Sequence, residues 1–288
     1  MGAPKVGIIG GSGLYEMPGF TVAERKTLST PFGDPSDEYV VGSLGGTDVV
    51  FLPRHGRGHR IMPSELNFRA NLFGFKLLGV ERVISVSAVG SMKEGIAPGH
   101  IVIPDQFFDR THGRPSTFFG GGLVVHVGFA DPVCTDLCRI LARAAGEEGA
   151  KVHDRGVYLC IEGPQFSTRA ESRIFRQWGV DVIGMTNLPE ARLAREAELC
   201  YSTLALVTDY DCWHEGSKDV TVEIVIETLN RNVLQAQKIV RRAVGLIPAD
   251  RTCGCAHALK DAIITARDKI PATARLELAP LLDKYLTN

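Results

Sequence analysis

The sequence has no run of apolar residues approaching the roughly 20 needed to cross a bilayer, so no membrane span is expected. It has no basic excess either. Lys plus Arg number 32 against 33 for Asp plus Glu, a formal net charge of -1. General binders of nucleic acid usually carry surplus positive charge, so no nucleic-acid partner is expected, although a small cationic pocket remains compatible. The opening residues, Met1 to Gly11, lack the long apolar segment and small-residue cleavage site of a secretory signal. Val6 stands where a myristoylation signal would have Ser or Thr. A cytoplasmic chain is the expectation. Internal repeats and low-complexity linkers are also missing.

No CxxC pair occurs among the seven cysteines, Cys134, Cys138, Cys160, Cys200, Cys212, Cys253 and Cys255. Most lie in apolar stretches and read as buried thiols. Cys253-Gly-Cys255, with His257 two residues on, is the exception. Three ligand types so close can touch a metal, but no fourth is evident, and no metal is expected. A disulfide in this tail would be unusual for the cytoplasm.

What is present is ordinary for a globular chain of 288 residues, with 44% hydrophobic and 23% charged residues. Short apolar runs alternate with helical patterns, as in α/β proteins. Strands are predicted at 5–9, 40–43, 49–53, 83–89, 101–104, 156–162, 181–184 and 202–208. Gly45-Gly46 reads as the turn of a hairpin. Helices are predicted from Pro63-Ser64-Glu65 to about Leu78, with Ser64 as N-cap, and over 170–178, 189–198 and 220–246. In the last, apolar residues at 222, 226, 229, 233, 236, 240 and 243 form one face. One or two more helices are expected after Pro248.

Polar clusters follow several of these strands, and ligands of open α/β sheets collect at strand ends. Gly10-Gly-Ser-Gly13 can bring amides and the Ser12 hydroxyl to an anion, or can be a plain tight turn. It fits neither a dinucleotide fingerprint, since Glu16 holds the third glycine position, nor a P-loop. Arg54-His55-Gly-Arg57-Gly-His59-Arg60 packs five basic or titratable groups behind a strand. An Arg fork suits phosphate oxygens, although a solvated basic loop is the plainer alternative. Ser87-Ala88 and Met185-Thr186 offer further hydroxyls and backbone donors. Phe166 can stack on a planar ligand or sit in the core. Asp209 and Asp211 point the same way if the chain stays extended. They can hold a metal, or one can donate a proton while the other reads a hydrogen-bond donor; a cap or turn is the alternative.

At this point the chain resembles the 5'-methylthioadenosine phosphorylases of the trimeric purine nucleoside phosphorylase superfamily. The resemblance is carried by Gly7-Ile-Ile-Gly-Gly-Ser-Gly-Leu14, Thr30-Pro-Phe-Gly-Asp-Pro-Ser36, Arg54-His-Gly-Arg57, Ile61-Met-Pro-Ser64 and Asp105-Gln-Phe-Phe-Asp-Arg-Thr111. It continues through Glu162-Gly-Pro-Gln-Phe-Ser167, Arg169-Ala-Glu-Ser172 and Thr208-Asp-Tyr-Asp-Cys-Trp213. These motifs span about residues 5 to 247 in family order.

The resemblance implies an α/β fold, a single domain with a central twisted mixed β-sheet flanked by helices. Residues 1–247 would form the nucleoside phosphorylase domain and 248–288 a helical extension packed on it. It implies phosphorolysis of methylthioadenosine to adenine and 5-methylthioribose 1-phosphate, with no metal or organic cofactor and with inorganic phosphate as co-substrate. Ser12, Arg54, His55, Ser87, Ala88 and Thr186 would hold phosphate. Family members often carry Thr at the positions of Ser12 and Ser87. Phe166 and Met185 would cover base and ribose, and Asp209 and Asp211 would face the purine as the catalytic pair. Val222 and Val225 would line the methylthio pocket. His126, in His126-Val-Gly-Phe-Ala-Asp-Pro132, would reach in from a neighbouring subunit of a homotrimer.

A 6-oxopurine or methylthioinosine phosphorylase is the rival within that superfamily. Carboxylates accept from the adenine N6 amino group and repel O6, whereas an amide donates to O6. Asn187 near the base motif keeps that rival open. A water-using hydrolase and a non-catalytic nucleotide or phosphate sensor are the others.

Overall fold

The computed structural model describes residues 5–11, 14, 17–214 and 222–286. Within the last range, side chains are described for Thr228 and from Asn232 onward. Eleven strands among the described residues join one mixed sheet. They are β1 (Val6–Gly10), β2 (Phe20–Lys26), β3 (Tyr39–Leu44), β4 (Thr47–Pro53), β5 (Arg82–Ser91) and β6 (Ile101–Val102). Then come β7 (Gln106–Arg110), β8 (Val152–His153), β9 (Val157–Ile161), β10 (Val182–Gly184) and β11 (Cys200–Asp209). The helices are α1 (Phe68–Leu77), α2 (Thr135–Glu147), α3 (Arg169–Gln177), α4 (Asn187–Glu196), α5 (Val222–Leu246), α6 (Ala272–Glu277) and α7 (Ala279–Leu286).

β5 organises the sheet. It is ten residues long and nearly all buried, the pattern of a strand covered on both faces. Its first half pairs in parallel with β1 on one side, while β11 runs parallel along the other. Where β1 ends, β10 takes over and pairs antiparallel at Gly90 and Ser91. β4 runs parallel to β1, so β1, β4, β5 and β11 all finish at one edge. That edge receives the polar clusters seen in the sequence.

The β3–β4 hairpin turns at Gly45 and Gly46, both at positive φ (60° and 84°), which glycine adopts without steric cost. The helix expected from Ser64 is built differently. Pro63–Glu65 closes its own 3₁₀ turn, and α1 starts later, capped by the Asn67 side chain accepting from the Ala70 amide. Four elements were not anticipated, among them the two-residue β8. β2 is mostly exposed, β7 alternates between exposed and half-buried, and α2 buries a short stripe of Leu137, Cys138, Leu141, Ala144 and Ala145.

One apolar core runs from Val6 in β1 to Leu282 in α7, and it includes Leu259, Ile270, Leu278 and Leu281 of the tail. A smaller cluster of Met92, Leu159, Phe175, Val180, Ile183 and Trp213 lies beneath β10 and α3. No described helix is long and apolar enough to cross a membrane.

Candidate functional site

Arg54 follows β4 and is buried to 2% exposure. Its fork does not face outward, as the sequence reading assumed. Nε donates to Glu190 Oε2 at 2.8 Å and Nη2 to Glu190 Oε1 at 3.0 Å. Nη2 also lies 2.6 Å from Ser85 Oγ and 3.3 Å from the Ile9 carbonyl, while Nη1 donates to the Val86 carbonyl at 2.9 Å. A guanidinium has five N–H groups, so about one remains for an outside anion. Glu190, in α4 and fully buried, also accepts from Ser85 Oγ and Tyr201 Oη, each at 2.8 Å. Arg54 is therefore the keystone of a buried ionic network binding β4, β5, β11 and α4, and only its remaining N–H and its positive field are available to phosphate.

His55 is buried beside it and stacks on His59 with ring centroids 4.2 Å apart. Burial, reinforced by the Arg54 cation, lowers its pKa to about 4, against the pull of the Ile61 carbonyl. Nδ1 lies 2.9 Å from that carbonyl. A carbonyl only accepts, so Nδ1 carries the proton and Nε2 presents a lone pair. At neutral pH His55 thus offers an acceptor and no positive charge.

Ser87 and Thr186 meet from β5 and the start of α4, with hydroxyls 3.2 Å apart. Tyr158 Oη joins them at 3.3 Å from Ser87. Ala88 follows on the same strand. Arg54, His55, Ser87, Ala88 and Thr186, the residues expected to hold phosphate, therefore lie where β4 and β10 end against the middle of β5. Ser12 lies outside the described residues.

The segments expected to face the base are braced by Arg114, which the sequence reading missed. Nε donates to both Glu162 carboxylate oxygens at 3.1 Å and Nη2 to the Glu162 carbonyl at 2.7 Å. Nη1 donates to the carbonyls of Met185 at 2.8 Å and Leu188 at 2.9 Å. One guanidinium thus clamps the Glu162 loop to the Met185 segment. Phe166, in that loop, is 44% exposed, so the core alternative is excluded and its face is open to a ligand.

Asp209 ends β11. Its Oδ2 accepts from Thr208 Oγ1 at 2.6 Å and its Oδ1 from the Asp211 amide at 2.7 Å. Gly90 allows this approach, because a Cβ there would sit 2.8 Å from Asp209 Oδ1. Asp211 is not the extended neighbour that the sequence reading required. The register slips between Val207 and Asp209, and Asp211 opens a 3₁₀ turn at φ 51°. Its Oδ2 accepts from Ser172 Oγ at 2.6 Å. Desolvation raises the pKa of both carboxyls. For Asp209 the two hydrogen bonds partly oppose burial, whereas for Asp211 the charge of Asp209 adds to it. The turn is fixed by Trp213, whose Nε1 donates to the Ser91 carbonyl at 2.7 Å beneath the Arg176 guanidinium. Cys212 Sγ contacts the Ser167 carbonyl at 3.3 Å, linking the turn to the Phe166 loop.

Asn187 has its amide donor engaged by protein. It is buried, and its Nδ2 donates to Tyr201 Oη at 3.1 Å and to Thr203 Oγ1. The observation that kept the 6-oxopurine rival open therefore falls away. Val222 and Val225 lie in α5, but their side chains fall outside the described residues.

His126 stands apart from these groups. It is exposed and lines a cavity of about 230 Å³ with Val125, Phe129, Arg192 and Glu196. Burial pushes the Glu196 carboxyl up to about 7, despite bonds from the Phe118 amide at 2.8 Å and Thr117 Oγ1 at 2.7 Å.

The cysteines of the tail do not group with His257. His257 lies against Lys284, with Nδ1 3.3 Å from its Nζ. Cys253 and Cys255 meet Cys134 and Cys200 instead, and the four sulfurs all lie within 4.8 Å of one another.

The sequence model of the phosphorylase superfamily matches residues 5–245. The S-methyl-5'-thioadenosine phosphorylase of Geobacter sulfurreducens is 58% identical over 282 residues, covering 98% of this chain and 99% of the relative. That of Koribacter versatilis is 57% identical over 281 residues, covering 98% and 96%. Among solved structures, a methylthioadenosine phosphorylase from an antarctic soil metagenomic library superposes with a TM-score of 0.93 at 48% identity, over 98% of this chain and 100% of that one. The Schistosoma mansoni methylthioadenosine phosphorylase in complex with adenine gives 0.86 at 39% identity, over 92% and 99%.

Proposed function

The chain belongs to the phosphorylase superfamily, and from that premise we propose how its strand-end site works. It is a purine nucleoside phosphorylase, a pentosyltransferase, and its nucleoside is S-methyl-5'-thioadenosine. Inorganic phosphate attacks C1', the C1'–N9 bond breaks, and adenine leaves with 5-methylthioribose 1-phosphate as the second product.

Phosphate sits where β4 and β10 end against the middle of β5. Ser87, Thr186 and Ser12 donate hydroxyls, the Ala88 segment supplies backbone contacts, and Arg54 contributes its remaining N–H and its field. His55, neutral with an Nε2 lone pair, accepts the hydroxyl of a monoprotonated phosphate. A phosphate anion beneath C1' stabilises the cationic ribose that forms as the glycosidic bond stretches.

Phe166 and Met185 cover the nucleoside, and Val222 and Val225 form the apolar wall against the methylthio group. Asp209 gives a proton to N7 of the departing adenine, and Asp211 accepts from its N6 amino group. The observation that carries this assignment is Asp209 itself, a carboxyl whose burial favours the protonated form, held at a strand end by Thr208 and the Asp211 amide. No cofactor enters the scheme.

The chain works as a homotrimer in which His126 completes a neighbour's site, and the exposed His126 and Val124 support that reading. Cytoplasmic salvage of adenine and of the methylthioribose skeleton is the setting. The test is release of adenine from methylthioadenosine with and without phosphate, alongside molar mass by light scattering. Adenine release independent of phosphate would overturn the reaction, and a fully active monomer would overturn the assembly.

A further inference from the structure

Four cysteines that are distant in the sequence converge outside the nucleoside site. Cys134 occupies the N-cap position of α2, Cys200 begins β11, and Cys253 and Cys255 flank Gly254 at a 3₁₀ turn of the tail. All are free thiols, and their sulfurs lie within 4.8 Å of one another, Cys200 and Cys253 at 3.3 Å. Three are buried, and Cys253 is half-buried.

A tetrahedral ion with Zn–S bonds of about 2.3 Å holds its four sulfurs about 3.8 Å apart. The observed spacing therefore suits one small ion and is too tight to enclose several irons. The chemistry of the surroundings agrees. Thiolate ligands are soft and select zinc over magnesium or calcium. A helix N-terminus favours a thiolate at Cys134. The half-buried Cys253 opens on a cavity of about 340 Å³, which gives an ion a way in. Arg82, Arg139 and Arg251 line that cavity with Asp136 and Asp250. Arg82 and Arg251 share Glu81 and Arg139 pairs with Asp136, so the rim is close to neutral beside four thiolates and a divalent ion.

We propose that Cys134, Cys200, Cys253 and Cys255 form a structural site for one zinc ion, which pins the C-terminal tail to α2 and β11. Binding exchanges each S–H proton for a bond to the metal, so no oxidant or reductant is involved and protons pass to the buffer. All four positions are filled by protein, leaving none for water or substrate, so the ion acts on folding and not on phosphorolysis.

The proposal is tested on untagged protein purified under reducing conditions from zinc-supplemented culture. Elemental analysis should find about one zinc per chain. The Cys253→Ser/Cys255→Ser pair should hold less than a tenth of that, while Cys212→Ser keeps it. Cobalt exchanged into the wild-type chain should show intense thiolate-to-metal absorption with the bands of tetrahedral Co²⁺. Thiol counting in denaturant guards against misfolded variants, because it is made on the wild type. Seven reactive thiols with no metal would overturn the proposal, and so would a metal-free chain in which four thiols are lost to two disulfides.

Discussion

The two ends of the nucleoside site are built on opposite electrostatic plans. At the phosphate end a cation and an anion are sealed together. Arg54 and Glu190 meet in bidentate geometry, and Ser85, Tyr201 and the carbonyls of Ile9 and Val86 make further bonds to the pair. At the base end two carboxyls, Asp211 buried and Asp209 half-buried, have hydroxyl and amide donors but no ion-pair partner among the described contacts. The first arrangement keeps its charges fixed. The second makes ionisation unfavourable, which suits the proton transfer proposed for Asp209. A site that receives an anion needs a permanent field, whereas a site that protonates a leaving group needs a labile proton.

The largest expected effect comes from breaking the sealed end. Arg54→Ala strands Glu190 as an unpaired buried charge, which costs about 3–5 kcal/mol of stability. Denaturant midpoints should record that loss, and a stable variant impaired only in phosphate KM would show that the fork serves the ligand instead. His55 gives an acid test of the same end. Its folded pKa of about 4 lies below its ordinary 6.5. The unfolded chain therefore takes the proton first, and stability falls as pH drops from about 6.5 to about 4, by about 3 kcal/mol in all. His55→Gln should flatten that slope, and an unchanged slope would remove His55 from the account.

The base end should respond in catalysis more than in folding. Asp209→Asn should cut turnover on methylthioadenosine by about a hundredfold, the scale of general acid assistance, with phosphate KM nearly unchanged. Its stability should move the other way. A raised folded pKa means that wild-type stability declines as pH rises from the ordinary Asp value through the raised one, and the amide escapes that cost. A variant less stable than wild type at neutral pH would contradict this. The smallest effect belongs to Asp211→Asn, which should shift kcat/KM from methylthioadenosine toward methylthioinosine by up to about tenfold, the worth of one hydrogen bond. An unchanged ratio would take base reading away from Asp211.

The parts of this molecule legible in its sequence are those whose signal is local. The buried runs of β1 and β4 stand out as continuous apolar stretches, and Gly45-Gly46 marks the hairpin because few other pairs adopt positive φ twice. Two of the strand-end polar clusters come together in the fold, with Ser87 meeting Thr186 at 3.2 Å. β2 and β7 escaped because edge strands with exposed faces lack a clear apolar run. α1 was misplaced by a Pro-Ser-Glu signal that proved to be a separate 3₁₀ turn. Partners far apart in the chain left no trace. Arg54 and Glu190 are separated by 136 positions, so the Arg fork read as free when it was taken. Cys253 and Cys255 were matched with the nearest His for the same reason, while their true neighbours stood in α2 and β11.

The tail does more than cover the core. Val125 and Ile263 form an antiparallel bridge, the His126 amide donates to the Ala262 carbonyl at 2.8 Å, and the Ile264 amide donates to the Val124 carbonyl at 2.9 Å. These bonds are made by peptide groups alone, and such contacts are indifferent to which side chains accompany them. The exposed Lys260, Asp261 and Ile264 side chains can therefore change while the height of the His126 loop is kept, whereas Thr265, whose Oγ1 accepts from the Val124 amide at 2.8 Å, cannot. A stretch that looks unconstrained when read letter by letter acts as a splint whose specification is written in backbone geometry.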